Sequence, residues 1–305
     1  MRILITGASG LLGLNLALET TRRHTVFGTV NHHSLKTDAF TVIQTDLLVP
    51  GAVERLLDTT KPDWVIHCAA LANLDACEAD PLLAQQLNTE LPRTLASYVA
   101  RSGARLVHVS TDAVFDGLRG DYSEGDIPTP VGEYSRTKLE GELAVADADP
   151  TAIIARVNFY GWSLTGNRSL AEFFFTNLRV HKRVMGFMDV FFCPLLANDL
   201  ANILVRMLES NQSGLYHVVS SESLSKYDFG LRLAERFNLD DSLIIPSSVT
   251  QAGLKAARSL NLTLRSDKLV HALGEPIPNV STGLDKFYTL YQQGYPHMLH
   301  SLELN

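Results

Sequence analysis

The sequence predicts an α/β protein: a doubly wound parallel sheet with a smaller, mixed α/β lobe at its C-terminal end. Three observations carry this. Short runs rich in Val, Ile and Thr alternate with segments of helical spacing over residues 1–157, the pattern of βαβ units. Three glycines, Gly7, Gly10 and Gly13, follow the first such run and open the first helical segment. Beyond residue 157 the regular alternation gives way to a mixed pattern.

The expected strands are 3–6, 25–30, 41–45, 64–69, 105–111 and 152–157, where β-branched residues cluster. The expected helices are 11–21, 52–59, 82–100 and 134–146, where apolar residues recur every three or four positions. Right-handed crossovers should join them. A long loop, 112–132, follows the fifth strand and carries Gly117, Gly120, Gly125, Pro128 and Pro130. Loops at the carboxyl ends of central strands are where such sheets bind ligands. Residues 1–157 are therefore the expected dinucleotide-binding domain. Residues 158–305 are mostly a substrate-binding lobe, with some segments returning to the sheet. In that lobe helices are expected at 170–180, 198–209 and 225–237, a strand at 215–219 and an edge strand at 187–193.

Composition narrows the function. The chain of 305 residues has 26 basic and 33 acidic side chains, a formal net charge of −7. An acidic balance argues against nucleic acid as a partner. No uninterrupted apolar stretch is long enough for a membrane helix. The strand pattern begins at once and leaves no room for a signal peptide. Cys68, Cys77 and Cys193 are an odd number without metal spacing, so a reduced, cytoplasmic setting and no intrinsic metal site are expected.

The glycines read as a Rossmann-type loop of GxxGxxG spacing. Gly7 allows a tight turn, Gly10 lets backbone approach a diphosphate, and Gly13 lets helix pack on sheet. Gly7, Ser9, Gly10, Leu11, Leu12 and Gly13 are thus the expected cradle, because a helix start offers free N–H groups to anions. The second strand ends in Asn31, His32 and His33, with Lys36 beyond and no carboxylate for a ribose 2′-hydroxyl. This favours NADP, with NAD as the alternative; a solvated polar loop is the other reading of His32 and His33. Asp46 and Leu47 fall at the adenine edge. Cys68, Ala69 and Ala70 offer small side chains under the cofactor.

Tyr134 and Lys138 lie four apart at a predicted helix start, on one face. A tyrosine with a pKa near 10 is a poor acid, and an ammonium about 4 Å away would favour its phenolate by roughly 4 kcal/mol. Thr111, at the end of the fifth strand, could polarise a carbonyl that Tyr134 protonates. Asn88 could hold a water behind the lysine or simply face solvent. Asp112 could orient Thr111 or the substrate, or cap the loop. Asn158 and Trp162 follow the sixth strand and could contact substrate; core packing is the equal alternative for Trp162.

The chain resembles an extended short-chain dehydrogenase/reductase and is most similar to the dTDP-4-dehydrorhamnose reductase family. The likeness lies in the glycine loop, Ser110-Thr111-Asp112-Ala113-Val114-Phe115-Asp116-Gly117, residues 134–142, Arg156-Val157-Asn158-Phe159-Tyr160-Gly161 and residues 258–269. It implies an oxidoreductase that uses NADPH or NADH to reduce a 4-keto sugar carried on a nucleotide. It further implies Tyr134 as acid, Thr111 as carbonyl orienter, Lys138 on the nicotinamide ribose and Arg258 toward the nucleotide sugar. The chain departs from the family pattern at Leu71, Ala72, Ala113, Ser259 and Arg265, so the cofactor half is kept and the substrate wall altered. The family also includes the regulatory subunit of methionine adenosyltransferase, which makes a dinucleotide-binding regulatory subunit the second reading. Epimerase or dehydratase chemistry is a third, and a homodimer is open, because apolar helix faces serve cores and dimer seams alike.

Overall fold

A computed structural model describes residues 1–251 and 259–303. Seven strands form the main sheet: β1 (Arg2–Thr6), β2 (Thr25–Val30), β3 (Thr41–Gln44), β4 (Trp64–His67), β5 (Arg105–Thr111), β6 (Ile153–Val157) and β7 (Gly214–Val218). Their order is β7-β6-β5-β4-β1-β2-β3, all parallel. The chain starts in the middle and winds outward both ways, so the strand order reverses between β1 and β4. That switch point opens a crevice at the carboxyl edge.

Alternation along each strand decides which layer a side chain joins. Leu4, Val65, Leu106 and Ile154 point to one face. There they meet α2 (Ala52–Thr60) and α3 (Leu91–Ser102) through Val53, Leu56, Leu95 and Val99. Ile3, Ile5, Ile66, Val107 and Ile153 point to the other face. There they join the core formed with α1 (Leu11–Thr20) and a later helix (Ala197–Glu209) that packs against α1. Each fully buried aliphatic side chain contributes about 1.5–3 kcal/mol relative to exposure.

The expected single helix 82–100 is broken. A short helix (Pro81–Gln85) runs into a π-turn (Gln86–Glu90), and only then does α3 begin. An additional short helix (Leu74–Ala79) precedes them. Pro92 is the cause at the sequence level: it has no N–H to offer the Asn88 carbonyl one turn back. Leu91 N–H instead bonds Gln86 O. The helix α4 (Glu133–Ala148) packs on this π-turn.

The expected strand 215–219 is β7, and it lies in the main sheet beside β6 rather than in the lobe. The expected edge strand 187–193 is two short ones. Val184–Phe187 pairs with Ile244–Ser247, and Phe191–Phe192 pairs with Leu224–Ser225. Among the described residues no helix is long and apolar enough to cross a membrane.

Candidate active site

The glycine loop has the geometry its spacing requires. Gly7 has φ +70°, and a Cβ there would stand 2.9 Å from the Ala69 backbone. A Cβ at Gly13 would lie 2.2 Å from the Gly7 carbonyl oxygen. Gly10 is the N-cap of α1 and has no side-chain cap. The first N–H groups of α1, on Leu11, Leu12 and Gly13, therefore have no partner within the helix. Leu12 itself is buried in the core, so it can present only backbone to a ligand. In front of them lies a cleft of about 270 Å³ lined by Gly7, Ser9, Gly10, Asn31, His32, His33, Asp46, Leu47, Cys68, Ala69 and Ala70. Arg168 also lines it, and sequence reasoning missed it.

Thr111 ends β5 and caps a 3-10 turn (Asp112–Val114), accepting Ala113 N–H at 3.1 Å. Its own hydroxyl donates to Asp112 Oδ1 at 3.1 Å. Asn158 Nδ2 donates to Asp112 Oδ2 at 2.5 Å. Burial raises the Tyr134 phenol, and the Thr111 hydroxyl beside it acts the other way. A directed chain results, from Thr111 to Asp112, with Asn158 closing it from the far side and Tyr134 beside Thr111. Burial pushes the Asp112 carboxyl up to about 6.

Lys138 corrects one expectation. It lies on the same helix as Tyr134, but its ammonium donates to Val109 O at 2.7 Å. Burial, rather than the ammonium, sets the tyrosine's acidity: Tyr134 is pushed up to about 12, and Lys138 is pushed down to about 8. A phenol of this acidity stays protonated at neutral pH, the form a carbonyl reduction uses.

Behind Lys138, β1, β4 and β5 align Thr6, His67 and His108 side by side. Thr6 Oγ1 accepts N–H from Cys68 and Ala69, each at 3.2 Å, so its proton goes to His67 Nδ1 at 2.7 Å. This fixes the neutral His67 as the Nε2–H tautomer. His108 stacks on it at 5.5 Å. Burial, with Lys138 nearby, lowers His67 to about 3 and His108 well below its ordinary value. The unfolded chain would protonate His67 below pH 6.5 while the folded protein waits until about 3. Stability is therefore lost as pH falls through that window. A His67→Gln variant should lose about 1.4 kcal/mol per pH unit less steeply there, measured as urea-unfolding free energy at stepped pH.

Asn88 neither faces solvent nor lines the cleft. Its fully buried amide accepts Leu71 N–H at 2.9 Å, and donates to Leu71 O at 3.1 Å and to Thr137 Oγ1 at 3.2 Å. It ties the loop after β4 to α4. Gly141 allows the approach, since a Cβ there would stand 2.1 Å from Asn88 O. Gly141→Ala is expected to cost about 1–3 kcal/mol, read as a lower urea midpoint.

Trp162 is also corrected. It is 3% exposed, stacks on Phe287 at 4.0 Å and donates Nε1–H to Phe287 O at 3.0 Å. It belongs to an aromatic core with Phe175 and Phe237, not to a substrate wall. Arg258 lies outside the described residues. The sequence reading also gave no role to Glu142. Its carboxylate holds Arg156 through both oxygens, at 2.7–3.1 Å, and accepts Ser110 Oγ–H at 2.5 Å. A Glu spaced eight residues from Tyr134, and an Arg inside an apolar strand, were the available signals.

Residues 1–293 match the family model described as RmlD substrate binding domain. The chain belongs to this family. The probable low-salt glycan biosynthesis reductase Agl14 of Haloferax volcanii is 33% identical over 93% of this chain and 96% of its own length. Methionine adenosyltransferase 2 subunit beta of Mus musculus is 32% identical over 88% of this chain and 81% of its own. A solved dTDP-4-dehydrorhamnose reductase from Clostridium acetobutylicum superposes with a TM-score of 0.82 at 27% identity, covering 96% of this chain and all (100%) of that one. The RmlD-family chain thus has the Rossmann-type fold and the extended short-chain dehydrogenase/reductase type that its motifs suggested. That type is the NAD(P)-dependent oxidoreductase class.

Proposed function

We propose that the chain is an NADP-preferring reductase of a keto group on a nucleotide-activated sugar, with Tyr134 as proton donor. The observation that carries this reading is Tyr134 beside the Thr111–Asp112–Asn158 hydrogen-bond chain at the end of β5, on the same carboxyl edge of the sheet as the glycine loop. The residues fit a dinucleotide. Gly10, the N-cap of α1, lines the cleft and no side chain caps that helix start, small Ala69 and Ala70 leave room for a flat ring, and His32 and His33 stand where a carboxylate would repel a 2′-phosphate. Bound NADPH supplies the hydride. The protein's part is to orient the carbonyl and deliver a proton. Thr111 and Tyr134 hold the substrate oxygen, and the Tyr134 O–H passes its proton to that oxygen as negative charge builds there. Lys138, whose ammonium donates to Val109 O, is the residue this reading assigns to the nicotinamide ribose. Residues 158–305 supply most of the substrate wall, with Asn158 positioned through Asp112. All three cysteines are free, which accords with a reducing, cytoplasmic setting.

The test is a panel. NADPH and NADH are titrated against the protein, and nucleotide 4-keto sugars are screened for oxidation of the tighter cofactor. NADPH should bind more tightly and be oxidised by at least one such sugar. The likeness to methionine adenosyltransferase 2 subunit beta favours a second reading, a dinucleotide-binding regulatory subunit. Tight dinucleotide binding without turnover, together with stoichiometric co-purification of a synthetase, would select it.

A further inference from the structure

The loop between β6 and the next helix (Leu170–Arg179) ends in Arg168, and its backbone is pinned. Glu172 is fully buried, and its carboxylate accepts N–H from Ser163 at 2.6 Å, Arg168 at 2.9 Å and Ser169 at 3.2 Å. Ser169 and Glu172 form a reciprocal cap on that helix, and Ser169 Oγ donates to Gly161 O at 2.8 Å. The loop is also held at two further places. Asn15 of α1 donates to Trp162 O at 2.9 Å. A Cβ at Gly166 would lie 3.0 Å from the His300 ring. The chain runs on from His300 to Leu302, whose carbonyl accepts Lys36 N–H at 2.8 Å.

What this rigid loop displays is one guanidinium. Arg168 is exposed and lines the same cleft as Ser9, Gly10, His32 and His33. Among the described residues no carboxylate lies within ion-pair distance of it. The net charge of −7 means that attraction for an anion must be local. A guanidinium offers a planar fork of donors that matches a phosphate. We infer that Arg168 is a cofactor-binding residue, a clamp from the C-terminal lobe onto a phosphate of the adenosine half of the dinucleotide. The inference rests on the dinucleotide reading of this cleft and adds an affinity determinant that no motif marks.

The experiment measures Kd for NADPH, NADH, ADP and 2′,5′-ADP on the intact protein, for the unchanged chain, Arg168→Gln and Arg168→Lys. Arg168→Gln is expected to weaken NADPH about tenfold or more, with Arg168→Lys between, because a point charge replaces the fork. A loss shared by NADPH, NADH and ADP identifies the diphosphate as the partner. A loss confined to NADPH and 2′,5′-ADP identifies the 2′-phosphate. Either supports the clamp. Unchanged affinities in Arg168→Gln overturn it while leaving the cofactor reading intact. Failure of the unchanged chain to bind any dinucleotide overturns both.

Discussion

Tyr134→Phe is expected to lower kcat for keto-sugar reduction by about 10²–10⁴ while leaving the Kd for NADPH nearly unchanged. The substitution removes one oxygen from a half-buried ring. It deletes the hydroxyl beside Thr111 but leaves the Thr111–Asp112–Asn158 chain in place. Orientation by Thr111 and the hydride source would survive, so residual turnover should remain measurable. Thr111→Val should show the complementary pattern, a smaller loss in kcat with a raised KM, because it removes a hydroxyl that orients rather than donates. Steady-state kinetics of both variants, with fluorescence titration of the cofactor, check this. Wild-type kcat in Tyr134→Phe would remove the phenol from the mechanism.

Glu142→Ala is expected to destabilise the fold by about 3–5 kcal/mol, among the largest single-site effects in the molecule. The Glu142 and Arg156 side chains are 5% and 3% exposed. Removing the carboxylate strands a guanidinium whose other neighbours are the Phe115 ring, 5.0 Å away, and His217. It also frees Ser110, one residue before Thr111, so damage should reach the end of β5. The pair itself need not be strongly stabilising, since desolvation of two ions offsets much of their attraction. A double variant, Glu142→Leu with Arg156→Met, should therefore recover much of the loss. Urea unfolding of the three proteins distinguishes a stranded charge from a general packing defect.

Much of the fold was legible because its signals are local. Period-two and helical patterns sit within single elements, and the glycine spacing encodes contacts a few residues away. Of the candidate site, the place of Thr111 at the end of β5 was legible because position along a strand decides it. Other features depend on partners remote in sequence. Trp162 follows a strand just as a pocket residue would, yet Phe287 and Phe237 arrive from later helices and close a core around it. The four-residue spacing of Tyr134 and Lys138 reports a shared face, but says nothing of the burial that raises one and lowers the other. Asn88 sits in a helical pattern, and only the π-turn before Pro92 aims its amide inward. Arg168 belongs to no motif; it matters because a buried glutamate four residues on holds its backbone.

The position of β7 has a consequence for how this molecule can be divided. The chain leaves the sheet after β6, builds part of the C-terminal lobe, and returns at Gly214–Val218 to pair with β6 along its whole length. The helix Ala197–Glu209 covers α1 on the way. A fragment cut at residue 157 would carry the glycine loop and Thr111–Lys138, yet would bare the backbone edge of β6 and uncover α1. Unprotected edges of that kind invite aggregation. The part that carries the glycine loop is thus no transplantable cassette, and exchanging C-terminal lobes between relatives would have to graft two separated stretches at once.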